Sequence, residues 1–434
     1  LHLCDRRQRQ MCIRDRYKRI NWIDRTHLNK LCTGCGVCED ICPTQSIQIK
    51  RVNAENIPIL NAKTCLGDKC SRCLKVCPGI GIDLKAKAKE LFNTQNQDKY
   101  IGHYTTLYTG YSNDNTIRYH SASGGIVSQF LIYLLEKKII EGAVVTSFSD
   151  KDHITPISYI ARNKEDVLKA KSSKYCPVAL NKVGNEIKNS EGKYIIVGLP
   201  CHIQGFRKRA EIDKKLRERI LGYFSIYCSS NRTFNAQKFL LKKYHINPKS
   251  LSYFAYRDNG CLGDLIIKDT KKIISVPFIN YYGTLRSFFK PRRCLTCIDH
   301  YGELADVCFG DIHIPPYSED KIGINSWIIR NPYFNNLFKD AAQEGYLTME
   351  ELDAHTLNES QKAMLYPKQR RAHAIINMDK IFGKATVKYD TILDTPTLKD
   401  YVAEVICHCQ RFIGKHPSLW WIIDFLYNRR INKK

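Results

Sequence analysis

Membrane-spanning hydrophobic runs are missing from this chain of 434 residues. The longest apolar stretch near its end, Leu419 to Ile423, is cut by Asp424 and is far too short to cross a bilayer. A secretory signal is missing too. The first sixteen residues, LHLCDRRQRQMCIRDR, have no initiator Met, no apolar h-region and no consistent period. They resemble translated sequencing-adaptor DNA, so residues 1–16, with Cys4 and Cys12, are expected to be a non-native leader. There is also no nucleic-acid-binding motif and no basic arm. The net charge of +25 is scattered along the chain, which favours steering of a redox partner or an anionic substrate over nucleic-acid binding. Without an export signal, nineteen cysteines argue for metal ligation in a reducing compartment rather than for disulfides. A cytoplasmic location is expected.

What is present starts with eight of those cysteines. The first run reads Cys32-x2-Cys35-x2-Cys38-x3-Cys42-Pro43, and the second Cys65-x4-Cys70-x2-Cys73-x3-Cys77-Pro78. This is the thiolate spacing of a two-cluster ferredoxin, in which the fourth cysteine of each run ligates the other run's cluster. The spacing therefore assigns Cys32, Cys35, Cys38 and Cys77 to one [4Fe-4S] cube, and Cys65, Cys70, Cys73 and Cys42 to the other. Four thiolates also suit zinc, but zinc sites usually show two C-x2-4-C pairs with a longer spacer between them. The x4 gap after Cys65 is two residues longer than usual.

Length and an ordinary globular composition, 43% hydrophobic and 26% charged, predict two or three domains. The ferredoxin-type module covers about residues 21–84, with strand-like pieces at Ile47–Lys50 and Ile57–Leu60. Residues 85–99 are polar with Lys-Ala repeats and read as a linker able to form a helix. From Tyr100 helices and strands alternate. Ile126 to Lys138 is apolar at helical spacing; Glu141–Thr146, Tyr194–Gly198 and Ile220–Tyr227 read as strands. The expected architecture is an α+β ferredoxin-like two-cluster module followed by an α/β domain over residues 100–345. A mostly helical extension, 346–434, ends in an aromatic stretch and a basic tail. That end reads as a terminal helix packed on the protein with a solvated tail, in preference to an interfacial membrane helix.

Two further sets of residues carry chemistry. Ser121-Ala122-Ser123-Gly124-Gly125 precedes the Ile126 helix, where free N–H groups and small residues can admit an anion. Ser173-Lys174-Tyr175 adds hydroxyls and a cation. Cys201 and Cys228 follow two expected strands, and Cys294-Leu295-Thr296-Cys297 is a C-x2-C turn. Sites assemble at such strand ends, so these four could hold a third cluster, a zinc ion, or nothing. Cys176, Cys261, Cys308, Cys407 and Cys409 stay unassigned.

Taken together, Ser121–Val127 with Leu134–Lys137, Ser173–Tyr175, Val197–Cys201, Cys294–Cys297, Glu303–Asp306 and Gly310-Asp311 resemble the hydrogenase/dehydrogenase beta-subunit family named for the deazaflavin coenzyme F-420. The resemblance runs in order over about residues 21–331. It implies an FAD-containing reductase whose α/β domain binds the flavin. Carried over, Ser121, Ser123, Gly124, Gly125, Ser173, Lys174 and Tyr175 become cofactor-binding positions. Cys201, Cys228, Cys294 and Cys297 become ligands of a third [4Fe-4S] cluster. The expected function is an iron–sulfur flavoprotein oxidoreductase that passes electrons between ferredoxin-type clusters, FAD and a small acceptor, with ferredoxin or another redox protein as partner. An electron-transfer subunit without its own substrate site is the alternative. A zinc-stabilised nucleic-acid binder is a third reading, and peripheral membrane contact is not favoured. No histidine is assigned as catalytic, although His120, His202 and His300 adjoin the motifs.

Overall fold

The computed structural model describes residues 30–431, with the backbone alone at 430 and 431. The expected leader over residues 1–16 with Cys4 and Cys12, the first part of the expected module at 21–29, and the tail at 432–434 lie outside the described residues.

The first part of the described chain is a small cysteine module. Each cysteine run ends in a single helical turn, Val37–Asp40 and Arg72–Lys75, and between them lies the antiparallel hairpin β1 (Ile47–Val52) and β2 (Glu55–Leu60). Its two loop residues, Asn53 and Ala54, both take positive φ, 49° and 64°. That is the primed-turn geometry that matches the twist of paired strands.

After a minor hairpin, β3 (Asn96–Asp98) and β4 (Gly102–Tyr104), come the remaining strands: β5 (Thr106–Ser112), β6 (Gly142–Phe148), β7 (Pro156–Ala161), β8 (Tyr194–Gly198), β9 (Ile220–Ile226), β10 (Leu251–Asp258), β11 (Asp264–Asp269), β12 (Ile273–Pro277), β13 (Val307–Asp311), β14 (Asn325–Ile329) and β15 (Leu347–Glu351). Eight of them form one mixed sheet in the order β15-β5-β14-β13-β9-β8-β6-β7. The central block β13-β9-β8-β6 is parallel, and the outer pairings are antiparallel. β10, β11 and β12 make a separate antiparallel sheet.

Period-two alternation gives the main sheet two buried faces. Ala143, Val145, Ile195 and Phe224 point to one side, against helix α1 (Ile126–Glu136) and the Phe334 and Phe338 side chains. Val144, Tyr194, Ile196 and Tyr223 point to the other. There they meet helix α2 (Pro200–Ile212) and the cysteine module, through Val37, Ile41 and Val76. The module is thus packed on the sheet domain. Gly36 (φ 86°) makes this possible, because a Cβ there would lie 2.7 Å from the Asn181 Cβ.

Residues 84–92, largely within the expected linker, form the helix that its Lys-Ala repeats allow; Leu84 and Ala88 are buried, and Lys87 lies 2.9 Å from Glu211. One segment differs from the sequence reading. β15 lies inside the expected helical extension and is an edge strand of the main sheet. It is exposed at four of five positions to some degree, so its sequence, Leu-Thr-Met-Glu-Glu, carries no buried alternation to reveal it. Helices α3 (Ala354–Tyr366), α4 (Leu398–Lys415) and α5 (Trp420–Ile431) make up much of the rest. No helix among the described residues is long and apolar enough to cross a membrane.

Candidate redox centre and cavity

The thiols of the first module fall into two groups that feel one another's charge. Burial pushes the Cys38 thiol up, and Cys35, Cys32 and Cys77 push it further. Cys32 is raised in the same way by burial, then Cys77 and Cys35. In the second group, burial raises Cys73 to about 12, with Cys70, Cys42 and Cys65 contributing. The fourth cysteine of each run therefore sits with the first three of the other. Backbone N–H groups already point at several sulfurs: Gly34 donates to Cys32 Sγ (3.4 Å), Ser46 to Cys42 Sγ (3.3 Å) and Gly67 to Cys65 Sγ (3.4 Å). Hydrogen bonds to sulfur of this kind tune iron–sulfur clusters. Among the described residues, no three His, Cys, Asp or Glu side chains converge to hold a single metal ion.

A third thiol group forms from distant parts of the chain. Cys201 stands in the first turn of α2, directly after β8, and Cys228 stands two residues after β9. Cys294 lies on the short helix Arg292–Leu295, and Cys297 follows it. Burial raises Cys201, followed by Cys35, Cys228, Cys297 and Cys294. Asn231 N–H donates to Cys294 Sγ at 3.4 Å. The groups also adjoin each other, since Cys38 feels Cys73 across the module and Cys201 feels Cys35.

Sequence reasoning missed the cation that serves this third group. Lys368, in the π-helical turn Pro367–Arg371, is 3% exposed, and its Nζ donates to the Asp299 carbonyl at 3.3 Å. Burial alone would lower its pKa, but Cys297, Cys228 and Cys294 raise it above the ordinary lysine value. No motif marks Lys368, because its neighbours come from three separate loops.

Cys228 also lines a cavity of about 1050 Å³. The cavity opens where the parallel strands end, at Val145 and Thr146, Val197 and Gly198, Ile226, and Phe309 to Asp311, the usual ligand position on such a sheet. Ser121, Ser123, Gly125, Ser173, Lys174 and Tyr175 all line it, together with Ile126, Val127 and Ser128 at the N-terminus of α1. Gly124 sits just behind, pressed against backbone. A Cβ there would be 2.8 Å from both Asn325 N and Gly110 O.

The hydroxyls and Lys174 have local duties. Ser121 Oγ donates to the Ile117 carbonyl and Ser123 Oγ to the Ile324 carbonyl, both at 2.7 Å, which leaves their lone pairs free to accept. Lys174 Nζ donates to the carbonyls of Ala170 (2.8 Å), Lys171 (2.5 Å) and Ser172 (3.0 Å), so it holds the loop in shape. Burial lowers its pKa to about 7. Arg257 was not foreseen. It pairs with Asp311 at 2.7 Å, and its Nη2 is buried with no hydrogen-bond partner among the described residues.

The three flagged histidines separate clearly. His202 accepts from Leu199 N–H and faces the Val178 carbonyl, both at 3.1 Å, and burial lowers its pKa to about 4. Burial, aided by Lys368, takes His300 to about 3, and its Nε2 meets Gln361 Oε1 at 3.2 Å. Both are neutral at pH 7 and shape the wall. His120, half-buried, pairs with Asp258 at 2.8 Å. A further wall of the cavity comes from α3, with Glu359, Gln361, Met364 and Tyr366.

A dicluster-type cysteine module docked on a mixed α/β sheet, with a cavity at the strand ends, defines an iron–sulfur redox protein. Family models agree with that class. Residues 31–79 match the 4Fe-4S dicluster domain. Residues 107–184 match the N-terminal part, and residues 191–355 the C-terminal part, of the coenzyme F420 hydrogenase/dehydrogenase beta subunit. The chain belongs to the coenzyme F420 hydrogenase/dehydrogenase beta-subunit family. It is 26% identical over 304 residues to a coenzyme F420-dependent sulfite reductase of Methanocaldococcus jannaschii, covering 66% of this chain but only 43% of that protein. It is 23% identical over 264 residues to the coenzyme F420 hydrogenase subunit beta of Methanosarcina barkeri, covering 57% of this chain and 82% of that one. Its fold is similar to a chain of the F420-reducing [NiFe] hydrogenase complex from Methanosarcina barkeri. The TM-score is 0.53 at 20% identity, over 68% of this chain and 99% of that chain.

Proposed function

We propose that this protein is an iron–sulfur flavoprotein oxidoreductase. It would exchange electrons with ferredoxin or another redox protein at the cysteine module and deliver them to a small acceptor in the cavity. The observation that carries the reading is the order in which neighbouring thiol groups follow one another toward the cavity. It runs from Cys73 to Cys38, from Cys35 to Cys201, and from there to Cys228 on the cavity wall. Cys32, Cys35, Cys38 and Cys77 would hold one cube, Cys42, Cys65, Cys70 and Cys73 the second, and Cys201, Cys228, Cys294 and Cys297 a third.

The cavity fits a dinucleotide flavin such as FAD by its size and by its donors. Volumes of roughly 300–1,000 Å³ suit ordinary ligands, and this one is at or above the top of that range. At the N-terminus of α1 the Ile126 N–H is taken by Asn325 Oδ1, which leaves those of Val127 and Ser128 to meet a pyrophosphate. Ser121 and Ser123 offer acceptor lone pairs, and the unpaired Nη2 of Arg257 offers a buried donor. Bound clusters would supply single-electron transfer, and a bound flavin would pair those electrons for hydride chemistry. The chain's own residues do the rest. Gly124 allows the loop's close approach, Lys174 fixes the 170–174 turn, and neutral His202 and His300 add no charge of their own to the wall.

Anaerobic reductive titration tests this reading. Cys228→Ser should leave the flavin bound but slow its reduction from the module at least tenfold. Equal rates in both proteins would remove Cys228 from the path. A second reading, an electron-transfer subunit without its own acceptor, is favoured by relatives that are named as hydrogenase subunits. Reoxidation of the reduced protein by small acceptors without any partner would count against it.

A further inference from the structure

Helix α4 is inside out. Its inward positions are Asp400, Glu404, Cys407, Arg411 and Gly414, all buried. Its outward positions are Leu398 (79% exposed), Val402 (51%), Val405 (54%) and Phe412 (54%). A surface helix ordinarily shows the reverse. The inward charges have partners: Asp400 accepts from Thr397 and Tyr366 (2.7 Å each), and Glu404 lies 2.6 Å from Arg371. The polar face is therefore fixed against the protein, and among the described residues nothing covers the apolar face.

Helix α5 continues this surface. Ile423 and Tyr427 are buried against the protein, whereas Trp421 (69% exposed) and Phe425 (60%) face outward. Charge on the two helices is of one sign wherever it is free. Their three carboxylates are Asp400 and Glu404, both buried, and Asp424, which bridges to Lys243 at 2.6 Å. Lys399 and Arg429 are exposed, and Lys415 is exposed beside the Glu55 carboxylate of the β1–β2 hairpin. The local field is positive enough that burial, Arg411, Lys384 and Lys415 together lower the pKa of His408.

We propose that α4 and α5 form a docking surface for an anionic lipid bilayer. Apolar side chains, with tryptophan and phenylalanine among them, beside lysine and arginine supply the two attractions that peripheral membrane binding needs. Tryptophan favours the lipid–water boundary in particular. Pairing with a second copy would bring the exposed cations of these helices together, and neither helix has an exposed, unpaired carboxylate of its own to offset them. The charge therefore selects an anionic surface over self-association. This docking is independent of which cofactors the protein carries.

The test is co-sedimentation of the full chain with phosphatidylcholine vesicles, with and without phosphatidylglycerol. Binding is expected only with phosphatidylglycerol, and it should fall as salt rises. Each unit of charge removed should weaken partition roughly fivefold. Phe412→Glu and the pair Lys399→Glu/Lys415→Glu alter exposed positions only, so unchanged circular dichroism would establish that they fold. Each should lose at least tenfold in binding. Absence of binding to phosphatidylglycerol vesicles, or equal binding by the variants, would overturn the proposal. So would a wild-type dimer that Phe412→Glu converts to monomer, because the face would then be an interface between copies.

Discussion

Replacing Asp40 with Ala should loosen the cysteine module from the sheet domain. The carboxylate is fully buried and 2.6 Å from Arg209 Nη1, on the far side of the module boundary. It also accepts the backbone N–H groups of Gly184 (2.7 Å) and Asn185 (3.0 Å), which are otherwise free at the start of a helix. Burial raises its pKa, and Arg209 and the two N–H groups offset part of that. Removing one partner of a buried pair leaves an uncompensated charge and costs about 3–5 kcal/mol. Domains have only about 5–15 kcal/mol in total, so the loss is a large share. Removing both charges should cost less than the two single losses together, because no lone charge remains. The assay is a double-mutant cycle of Asp40→Ala, Arg209→Met and the pair, followed by denaturant unfolding of the anaerobic protein. Single losses of about 3 kcal/mol or more, with a coupling above about 1 kcal/mol, are expected. Additive losses below about 1 kcal/mol would refute the idea that this pair locks the module.

Other perturbations test the site. Lys368→Gln should make the potential of the proposed third cluster more negative, because a buried cation that favours the added electron is lost. An interaction on the order of 1–2 kcal/mol corresponds to about 40–90 mV for one electron, measurable by redox-poised electron paramagnetic resonance. Gly124→Ala should lower bound flavin while leaving cluster iron unchanged, since the new Cβ meets backbone at 2.8 Å; flavin release after denaturation reads it. Lys174 is held down to about 7 in the folded protein, against about 10.4 when unfolded. Between those values the unfolded chain binds more protons, so stability should rise with pH through this window. Lys174→Met should flatten that rise in a series of melting curves.

What could be read in the sequence depended on how local the cause was. The ligand spacing of Cys32 to Cys42 and Cys65 to Cys77 is set by one or two turns of backbone, so the two-cluster module was legible from spacing alone. Buried strands such as Tyr194–Gly198 and Ile220–Ile226 announced themselves as apolar runs. The third thiol group was readable only as one option from strand-end placement, and as an assignment through the family resemblance, because Cys201, Cys228 and Cys294 meet only after three loops converge. Lys368 and the α3 wall lie further along the chain still, and nothing in their local pattern points to the cavity. β15 was hidden for the opposite reason: an edge strand exposed to water has no buried face to give it a period. Helix α4 shows a different gap. Its apolar spacing from Leu398 to Phe412 is plain, but periodicity says only that the helix has two faces. The burial of Asp400 and Glu404 decides which one turns inward.

The most direct test of the central claim is the iron, acid-labile sulfide, zinc and released flavin content of the anaerobically purified protein. Three cubes and a flavin cavity predict about twelve iron and one FAD per chain. About eight iron with FAD would remove Cys201, Cys228, Cys294 and Cys297 from the path, and eight without flavin would leave an electron-transfer subunit. Zinc in place of iron would contradict the account altogether.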